Sequence, residues 1–345
     1  MASEQKKGRR TRLDDIAARC GVSISTVSRA LAGEKGVRPE IRKLVIETAN
    51  AISYAVPASV AGKKVILVAS SAAMIDYVRS QFTLYVLEGL NARAATLGIE
   101  VLMRPVANST DQMRVVTEMR DDPSLGGMLI LTLDDEDMLA VAAGLGKPVV
   151  LVNSDDPYMR FSSVTPCNRS AAFIGTERLI KAGHERILFM LRPGRRTIER
   201  RMEGWCDALR HHGLKANADL VLEVDDWLPE LGAETLTRHV QQNGLSFTAI
   251  LTAGDSLANG AVRGLQAMGY DVPRDVSVVG IDDLPQSAFL NPPLSTVHIP
   301  IRELGATALD LLRDMMLGLT LPTRRVELGC HLVERSSIAV ARSQA

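Results

Sequence analysis

The sequence predicts an all-α helix-turn-helix head followed by an α/β body of two parallel-sheet lobes. Three short helical patterns lie within residues 13–51, close enough together to share one small core. From Lys64 onward, near-continuous Val/Ile/Leu runs alternate with amphipathic helical patterns, which is typical of buried parallel strands. The strand–helix units are too numerous for one doubly wound sheet of common size, so we expect two lobes.

The head has the apolar spacing of a helix-turn-helix. Its first helical run, 13–20, ends at Gly21, and a second run extends from Ser25 to Leu31. The third run, 39–51, begins with proline, which is favoured at the first position of a helix. In this motif the second helix enters the DNA major groove, so we expect it to face base edges.

The body contains seven strand-like runs separated by helical patterns. They span 65–70, 99–105, 126–133, 147–153, 186–191, 247–253 and 276–282. Because open parallel sheets bind ligands at the carboxyl ends of their strands, the loops that follow should line a cleft. The predicted cleft loops are 70–71, 132, 153–155, 192–197, 253–255 and 282–283.

The net charge is zero, but its distribution separates the head from the body. Residues 1–64 carry 13 Lys/Arg and 6 Asp/Glu, whereas the remainder carries 27 and 34. Phosphates are attracted to such a basic head and not to an acidic body, which suits a nucleic-acid reader. A solvated basic tail is the alternative interpretation. The coincidence of the charge with a helix-turn-helix pattern favours DNA binding.

Composition argues against several other classes of protein. No run of 18 apolar residues exists, and residues 1–10 lack the apolar segment of a signal peptide, so we expect a cytoplasmic protein. The four cysteines are widely spaced and fit neither a disulfide ladder nor a zinc pattern, which predicts reduced thiols. They are Cys20, Cys167, Cys206 and Cys330.

The motifs of common enzymes are missing. The sequence has no G-x-G-x-x-G opening a helix after a strand, no complete P-loop, no G-x-S-x-G and no H-E-x-x-H. We therefore expect no catalysis and no bound metal or cofactor. His184 lies between a predicted helix end and a strand, where a structural role is favoured over chemistry.

A more specific resemblance is carried by the head. The runs A-x-x-C-G-V-S-x-x-T-V-S-R-A-L-x-G and V-R-P-E-I-R, followed by Tyr54, resemble the lactose-repressor/galactose-repressor (LacI/GalR) family of bacterial transcription regulators. Length and element order extend the resemblance over nearly the whole chain. It implies a periplasmic-binding-protein-like effector domain, whose two lobes hold a small molecule between them and are crossed by the chain three times.

The resemblance also implies domain boundaries. We expect a helix-turn-helix domain over 1–56, a short hinge over 57–63 and an effector-binding and dimerisation domain over 64–345. Lobe one should contain about 64–165 and 295–325. Lobe two should contain about 166–294 and 326–340.

Six residues in and before the second helix are the candidate DNA contacts. Arg29, Ser25 and Ile24 match the family's base-reading positions, and an arginine can bridge guanine O6 and N7. The remaining hydroxyls suit phosphate contacts near a helix N-terminus. For Ser23, a helix N-cap remains an equal alternative, and both roles are compatible. The full candidate set is Ser23, Ile24, Ser25, Thr26, Ser28 and Arg29.

Eight residues are the candidate effector contacts. Arg201 and Gly204 match the family's R-x-x-G, in which the arginine binds effector hydroxyls or a carboxylate, and Asp282 matches an acceptor of sugar hydroxyls. Trp227 matches an aromatic position that packs on a sugar face. Two positions depart from the family, since Gly254 replaces a usual Asn and Ile299 a common polar residue. The candidates are Ser71, Phe82, Asn153, Arg195, Arg196, Arg201, Trp227 and Asp282.

The segment L-R-P-G-R-R-T-I-E-R-R, 191–201, concentrates five arginines at a strand end and a helix start. Arginine forks match phosphate and carboxylate oxygens, and a helix N-terminus adds positive potential. This pattern favours an anionic effector such as a sugar phosphate or sugar acid. A surface charge cluster partly paired with Glu199 and Glu203 is the alternative.

The hinge departs from the family pattern. Pro57 is not followed by the usual Asn and wedge Leu, and the segment is shorter by roughly six residues, more than one helical turn. This argues against a full hinge helix and sharp operator bending, with Val60 as the only apolar wedge candidate. No leucine heptads follow Ser336, which predicts a dimer and not a tetramer.

Together these patterns predict a sequence-specific transcriptional regulator, a repressor by resemblance. We expect it to bind double-stranded operator DNA as a homodimer under the control of a small-molecule effector. A solute-binding protein would explain the body but not the head. A metabolic enzyme would explain only the α/β pattern.

Overall fold

The computed structural model describes residues 13–31, 36–51, 60–71, 77–319 and 322–341. The head contains α1 (Leu13–Cys20), α2 (Ile24–Leu31) and α3 (Pro39–Ala51). Ile16, Val27 and Val45, one from each helix, are fully buried in one shared cluster. The helix-turn-helix prediction is confirmed, and the second helix begins one residue earlier than the sequence pattern indicated.

Lobe one is a six-stranded parallel sheet covered by helices, with strand order β11-β5-β4-β3-β1-β2. Nearly every residue of its central strands is buried, which explains their continuous apolar sequences. Its elements are β1 (Lys64–Ser70), α4 (Tyr77–Leu97), β2 (Glu100–Val106), α5 (Ser109–Asp121), β3 (Leu125–Leu131), α6 (Glu136–Ala143), β4 (Val149–Val152), β5 (Ser162–Pro166), α11 (Ile301–Met316) and β11 (Arg325–Leu328).

Lobe two is a second six-stranded sheet with order β12-β10-β9-β8-β6-β7, parallel except for the antiparallel edge strand β12. Its elements are α7 (Asn168–Lys181), β6 (Ile187–Leu191), α8 (Arg196–His211), β7 (Val221–Glu223), α9 (Pro229–Asn243), β8 (Ala249–Thr252), α10 (Asp255–Ala267), β9 (Ser277–Asp282), β10 (Ser295–His298) and β12 (His331–Val333). Short 3₁₀ turns occupy Ala218–Leu220 and Pro285–Phe289.

The chain crosses between the lobes three times, and two crossings differ from the expected boundaries. The segment 295–298, expected in lobe one, is β10 of lobe two because it pairs in parallel with β9. The segment 326–328, expected in lobe two, belongs to β11 of lobe one because it pairs with β5. The crossings therefore lie near residues 167, 299–300 and 329–330.

The expected hinge, 57–63, falls partly outside the described residues. Its described part, 60–63, is a turn of lobe one, in which Lys63 N donates to Val60 O at 3.0 Å and Gly62 N donates to Gly98 O at 2.7 Å. Val60 is only 5% exposed and lies in the lobe core. This burial argues against Val60, the only apolar wedge candidate, because a wedge must reach the DNA minor groove.

His184 has the structural role that the sequence favoured. The imidazole is 3% exposed, and its Nδ1 lies 2.9 Å from Thr248 Oγ1 while its Nε2 lies 2.9 Å from Ser277 Oγ. Burial lowers its pKa, which keeps the ring neutral. Within the described ranges, no helix has the length and apolar character needed to cross a membrane.

Candidate functional sites in the recognition helix and interlobe cleft

The DNA-contact candidates form the exposed face of α2. Val27, Ala30 and Leu31 are buried on the opposite face, which fixes the rotation of the helix. The side chain of Ile24 is 50% exposed, and Thr26 is the only candidate that is partly covered. All six candidates are therefore presented on or beside one accessible helix face.

Ser23 caps this helix. The backbone N–H of Thr26 donates to Ser23 Oγ at 3.1 Å, and the two hydroxyls lie 2.9 Å apart. This is the N-cap arrangement, which satisfies one of the free amides at the helix start. The Ser23 residue remains exposed, so the cap does not prevent its hydroxyl from also contacting a phosphate.

A cavity of about 270 Å³ lies between the two lobes, at the carboxyl ends of strands from both sheets. It contains six of the eight effector-contact candidates: Phe82, Asn153, Arg195, Arg201, Trp227 and Asp282. Ser71 is not among the lining residues, although its neighbour Ser70 is. Arg196 does not line it either, because its side chain pairs with acidic residues outside the cavity.

Further lining residues come from the cleft loops and from helix starts. Thr132, Arg192, Thr197 and Gly254 lie within the segments that were predicted from the sequence as cleft loops, although none was singled out as a ligand contact. The cavity is also lined by residues that no motif in the sequence indicated, among them Thr83, Asp226 and Ser256. The last is the second residue of α10, which directly follows a predicted cleft loop.

Three lining residues at strand ends have a left-handed backbone. Thr132 has φ +54°, Asn153 has φ +47° and Asp282 has φ +130°. Non-glycine residues rarely adopt positive φ, and such conformations cluster at binding sites because the surrounding structure must enforce them. The folded lobes therefore hold these side chains at the cavity against local backbone preference.

Arg201 and Asp282 are neighbours within lobe two, and they do not face each other across the cleft. Arg201 Nη1 lies 3.6 Å from Asp282 Oδ1, and its Nε donates to Asn168 Oδ1 at 2.8 Å. Nη1 also donates to the Ala253 carbonyl. The arginine is 5% exposed. It is thus a buried cation at the cavity floor, with two hydrogen bonds and one nearby carboxylate.

The position of Arg201 depends on the glycine of its motif. A Cβ on Gly204 would lie 2.0 Å from the carbonyl oxygen of Arg169, so only glycine permits α8 to pack this closely on α7. The close packing brings the Arg201 side chain to Asn168, the first residue of α7. The motif therefore acts partly through helix packing.

Asp255 lies behind Asp282 and is 2% exposed. Its carboxylate accepts hydrogen bonds from Thr296 Oγ1 at 2.6 Å, Ser287 Oγ at 2.6 Å and Leu284 N at 2.9 Å. Burial, with the nearby Asp282 charge, raises the pKa of Asp255 to about 7. Burial also raises the pKa of Asp282 to about 6, although Arg201 opposes this. The cleft floor thus contains two carboxyls that titrate near neutrality.

The structure explains why glycine occupies position 254, where the family usually has Asn. A Cβ at this position would lie 3.1 Å from Trp227 Cζ3 and 3.2 Å from Asp282 Oδ2. The missing side chain lets the indole and the carboxylate approach the start of α10. An aromatic face and a carboxylate are therefore adjacent in the cavity wall.

The arginine-rich segment joins the two lobes. Arg195 Nη2 donates to the Asn153 carbonyl, and its Nε lies 3.4 Å from Asp134 Oδ2. Asp134 and Asn153 belong to lobe one, whereas Arg195 precedes α8 of lobe two. The same Asp134 carboxylate accepts from Ser154 Oγ.

A second cross-lobe cluster surrounds Asp155, which is 2% exposed. Arg200 Nε donates to Asp155 Oδ2 at 3.1 Å, Arg196 Nε lies 3.9 Å from the same oxygen, and Arg325 donates to Oδ1. Of the two acidic partners expected from the sequence, Glu199 pairs with Arg196 at 3.4 Å. The charge cluster is therefore mainly an interlobe ion-pair network.

Two buried polar atoms in the cavity wall have neither a hydrogen-bond nor an ion-pair partner within the described residues. They are Asn153 Oδ1 and Thr197 Oγ1, on residues that are 6% and 2% exposed. A buried polar group without a partner costs about 1–3 kcal/mol. Because they belong to different lobes, a ligand that hydrogen-bonds to both would connect the lobes.

These features define a DNA-binding regulator with an effector site between two lobes. Residues 12–56 match the family described as bacterial regulatory proteins, lacI family, and residues 176–338 match a periplasmic binding protein-like domain. The HTH-type transcriptional regulator reg1 of Streptomyces lividans is 30% identical, and the alignment covers 96% of this chain and 97% of reg1. The chain belongs to the lacI family.

Other relatives and solved structures agree with this assignment. The HTH-type transcriptional repressor PurR of Pasteurella multocida is 26% identical, with 94% of this chain and 98% of PurR covered. A transcriptional regulator CelR–cellobiose complex has 28% identity and a TM-score of 0.71, with 95% and 100% coverage. The lac repressor dimer bound to operator and the anti-inducer ONPF has 27% identity and a TM-score of 0.70, with 96% and 100% coverage.

Proposed function

We propose that this protein is a homodimeric repressor that reads a near-palindromic operator through α2 and responds to a neutral polyhydroxy effector in the interlobe cavity. The observation that carries the proposal is the combination of an exposed recognition face with buried, unpartnered polar atoms on both sides of one cleft. One small head buries too little DNA surface for tight specific binding, so two heads are required.

The charge balance of the cavity favours a neutral effector over the anionic one expected from sequence. Arg195 is engaged by Asp134, and Arg201 by Asp282. Among the described residues, Arg192 is the only arginine of the cluster without an ion pair; its Nη1 donates to the Pro193 carbonyl at 3.0 Å. Most of the positive charge that suggested a phosphate or carboxylate ligand is therefore neutralised inside the protein.

The remaining chemistry of the wall matches a sugar. Trp227 offers an aromatic face, Asp282 accepts from hydroxyls, and Asn153 and Thr197 carry unpartnered polar atoms. The related CelR structure, a complex with cellobiose, supports a carbohydrate. Sugar hydroxyls both donate and accept, so they can satisfy groups of both kinds.

The effector would act by changing how the lobes close. It contacts residues of both lobes, so its binding free energy depends on their relative position, and it favours the state in which both sets of contacts form. In the present arrangement the Arg195 and Arg200 ion pairs already connect the lobes. Ligand contacts would add to these connections and so alter the spacing of the two heads in the dimer.

Three measurements test the proposal separately. Selection from a random duplex library with the full chain should enrich a near-palindrome, and recovery without enrichment would overturn specific DNA reading. Light scattering should give a dimer, and a monomer at micromolar concentration would contradict two-headed reading. The effector is tested by calorimetry with neutral sugars, sugar acids and sugar phosphates. Tighter binding of an anion than of its neutral parent would overturn the neutral-effector assignment.

A further inference from the structure

Two cysteines from distant parts of the sequence meet where the chain crosses between the lobes. Cys167 lies on the first crossing, between β5 and α7, and Cys330 lies on the third, between β11 and β12. The parallel pairing of β5 with β11 places Leu328 opposite Pro166, one residue before Cys167. Both cysteines then converge on one carbonyl: Cys167 N donates to Leu328 O at 2.9 Å, and Cys330 Sγ lies 3.6 Å from it.

Both thiols are free and half-buried, so a small oxidant can reach them. The other cysteines of the described chain lie elsewhere, Cys20 in the head and Cys206 in α8. The interlobe pair is therefore set apart by its position, since each member sits in a segment that must bend when the lobes move.

The surroundings favour a reactive thiolate on Cys167. The Cys330 thiol, close enough to donate a hydrogen bond, lowers the pKa of Cys167 to about 6, and the Cys330 backbone and Ser170 side chain contribute. Cys167 is also the N-cap residue of α7, where the helix dipole favours negative charge. Burial and the neighbouring carboxylate of Glu327 oppose the effect. The pKa of Cys330 is raised by the same pairing.

We propose that Cys167 and Cys330 form a reversible disulfide on contact with a peroxide, and that this bond restrains the hinge between the lobes. The Cys167 thiolate attacks one peroxide oxygen, the O–O bond breaks, and the leaving hydroxide is protonated to water, which leaves a sulfenic acid on Cys167. Cys330 then loses its proton and attacks that sulfur, the S–O bond breaks, and a second water leaves.

The reaction balances without another cofactor. The two thiols together give up two electrons and two protons, and one hydrogen peroxide is reduced to two waters. A dithiol reductant reverses the change by thiol–disulfide exchange. Disulfides in reducing compartments are usually transient and redox-sensing, which fits a pair that is free in the resting state.

The bond would tie the first crossing segment to the third. When the lobes rotate, these two segments must change their backbone angles independently, and a covalent link between them reduces that freedom. The consequence for DNA binding rests on the proposed effector-controlled function, whereas the formation of the bond does not. The two parts therefore have separate readouts.

The first readout is chemical. The reduced full chain is treated with hydrogen peroxide, remaining thiols are alkylated, and peptides are mapped by mass spectrometry. We expect one bond joining Cys167 to Cys330 that dithiothreitol reverses. Cys330→Ser should leave a sulfenic acid that dimedone traps on Cys167, and Cys167→Ser should leave no trapped product on Cys330.

Cys206→Ser is the matched control and should not change the yield, because burial raises the pKa of that thiol. Thermal melts of the serine variants confirm that each is folded before oxidation. The proposal is overturned if Cys167 or Cys330 bonds instead to Cys20 or Cys206. It is equally overturned if no bond forms under conditions that oxidise free cysteine.

The second readout is functional. Operator affinity is measured with and without a sugar that binds the reduced protein, before and after oxidation. We expect the effector-induced fold-change to shrink on oxidation and to be unaffected by peroxide in Cys167→Ser. An undiminished response in protein carrying the mapped bond would overturn the hinge restraint. A reduced protein that responds to no effector would instead contradict the proposed function.

Discussion

Arg200 in lobe two donates through Nε to Oδ2 of Asp155 in lobe one at a distance of 3.1 Å. The same carboxylate accepts from Arg325 of its own lobe, and it is almost completely buried. A buried carboxylate needs several charge-assisted hydrogen bonds to offset its lost hydration. Asp155 therefore links the lobes mainly through the guanidinium of Arg200, with Arg196 as a more distant second partner at 3.9 Å.

Replacing Asp155 by Asn should destabilise the protein by roughly 3 kcal/mol, because it leaves arginines without their buried partner. Chemical denaturation would measure the loss, and small-angle scattering should show a larger radius of gyration. Glu199→Gln is the matched control, since Glu199 pairs with Arg196 at an exposed site and should change stability by less than about 1 kcal/mol. Equal effects of the two changes would contradict a cross-lobe role for Asp155.

The stability of the protein should depend on pH through Asp255. Its folded pKa of about 7 is raised above the ordinary value of 3.8, so the folded state holds a proton that the unfolded state has lost between these values. The free energy of unfolding contributed by this group therefore falls as pH rises from about 4 to 7, at up to about 1.4 kcal/mol per pH unit.

Denaturant titrations of wild type and Asp255→Asn at pH 5 and pH 7.5 measure this contribution together with the electrostatic interaction between Asp255 and Asp282. His184 makes the free energy of unfolding rise with pH, because burial lowers its pKa. It is present in both proteins, so its effect cancels in the comparison. We expect wild type to lose more stability than the variant on going to pH 7.5. Parallel pH profiles would refute the buried-acid interpretation.

Arg29→Ala should weaken operator binding by about 1–3 kcal/mol and relax base preference at one position of each half-site. Fluorescence anisotropy with the selected operator and with unrelated duplex measures both effects. Arg19→Ala removes the same charge from an exposed position on α1 and should change the two affinities to a similar extent. If Arg29→Ala also behaved in this way, α2 would not be reading bases through this residue.

Thr197→Val removes a hydroxyl at nearly constant volume and should reduce affinity for a neutral sugar about tenfold, the value of one hydrogen bond at the upper end of the usual range. Arg192→Ala is the matched control and should leave the affinity for a neutral sugar unchanged, because such a ligand does not need the cation of Arg192. Calorimetry on both variants gives the comparison. A large loss with Arg192→Ala and none with Thr197→Val would point back to an anionic effector.

The sequence predicted the parts of the fold that have strong periodic patterns. The head helices follow from helical apolar spacing, and the central strands of the sheets follow from continuous apolar runs, which burial on both faces imposes. The strands that it missed are short or rich in serine and threonine, such as Ser162–Pro166 and Ser295–His298. Their buried hydroxyls are satisfied by distant partners, as when Arg324 N donates to Ser162 Oγ.

The site was predicted less completely, for a related reason. Motif positions such as Arg201 and Trp227 lie at the cavity as expected. The partners of the arginine-rich segment could not be found, because Asp134 and Asp155 are remote in sequence and become neighbours only when the lobes meet. Local sequence offered only Glu199 and Glu203 as partners for five arginines, so the segment resembled an anion site.

The interleaved lobes also dictate an order of events during synthesis. The head can fold as soon as its three helices emerge, and the second lobe has five of its six strands by His298. The first lobe begins earlier but cannot bury its α4 face or pair β5 on both sides until Ile301–Met316 and Arg325–Leu328 have left the ribosome. A nascent chain therefore carries an incomplete first lobe through most of translation, exposed to aggregation and in need of protection by chaperones.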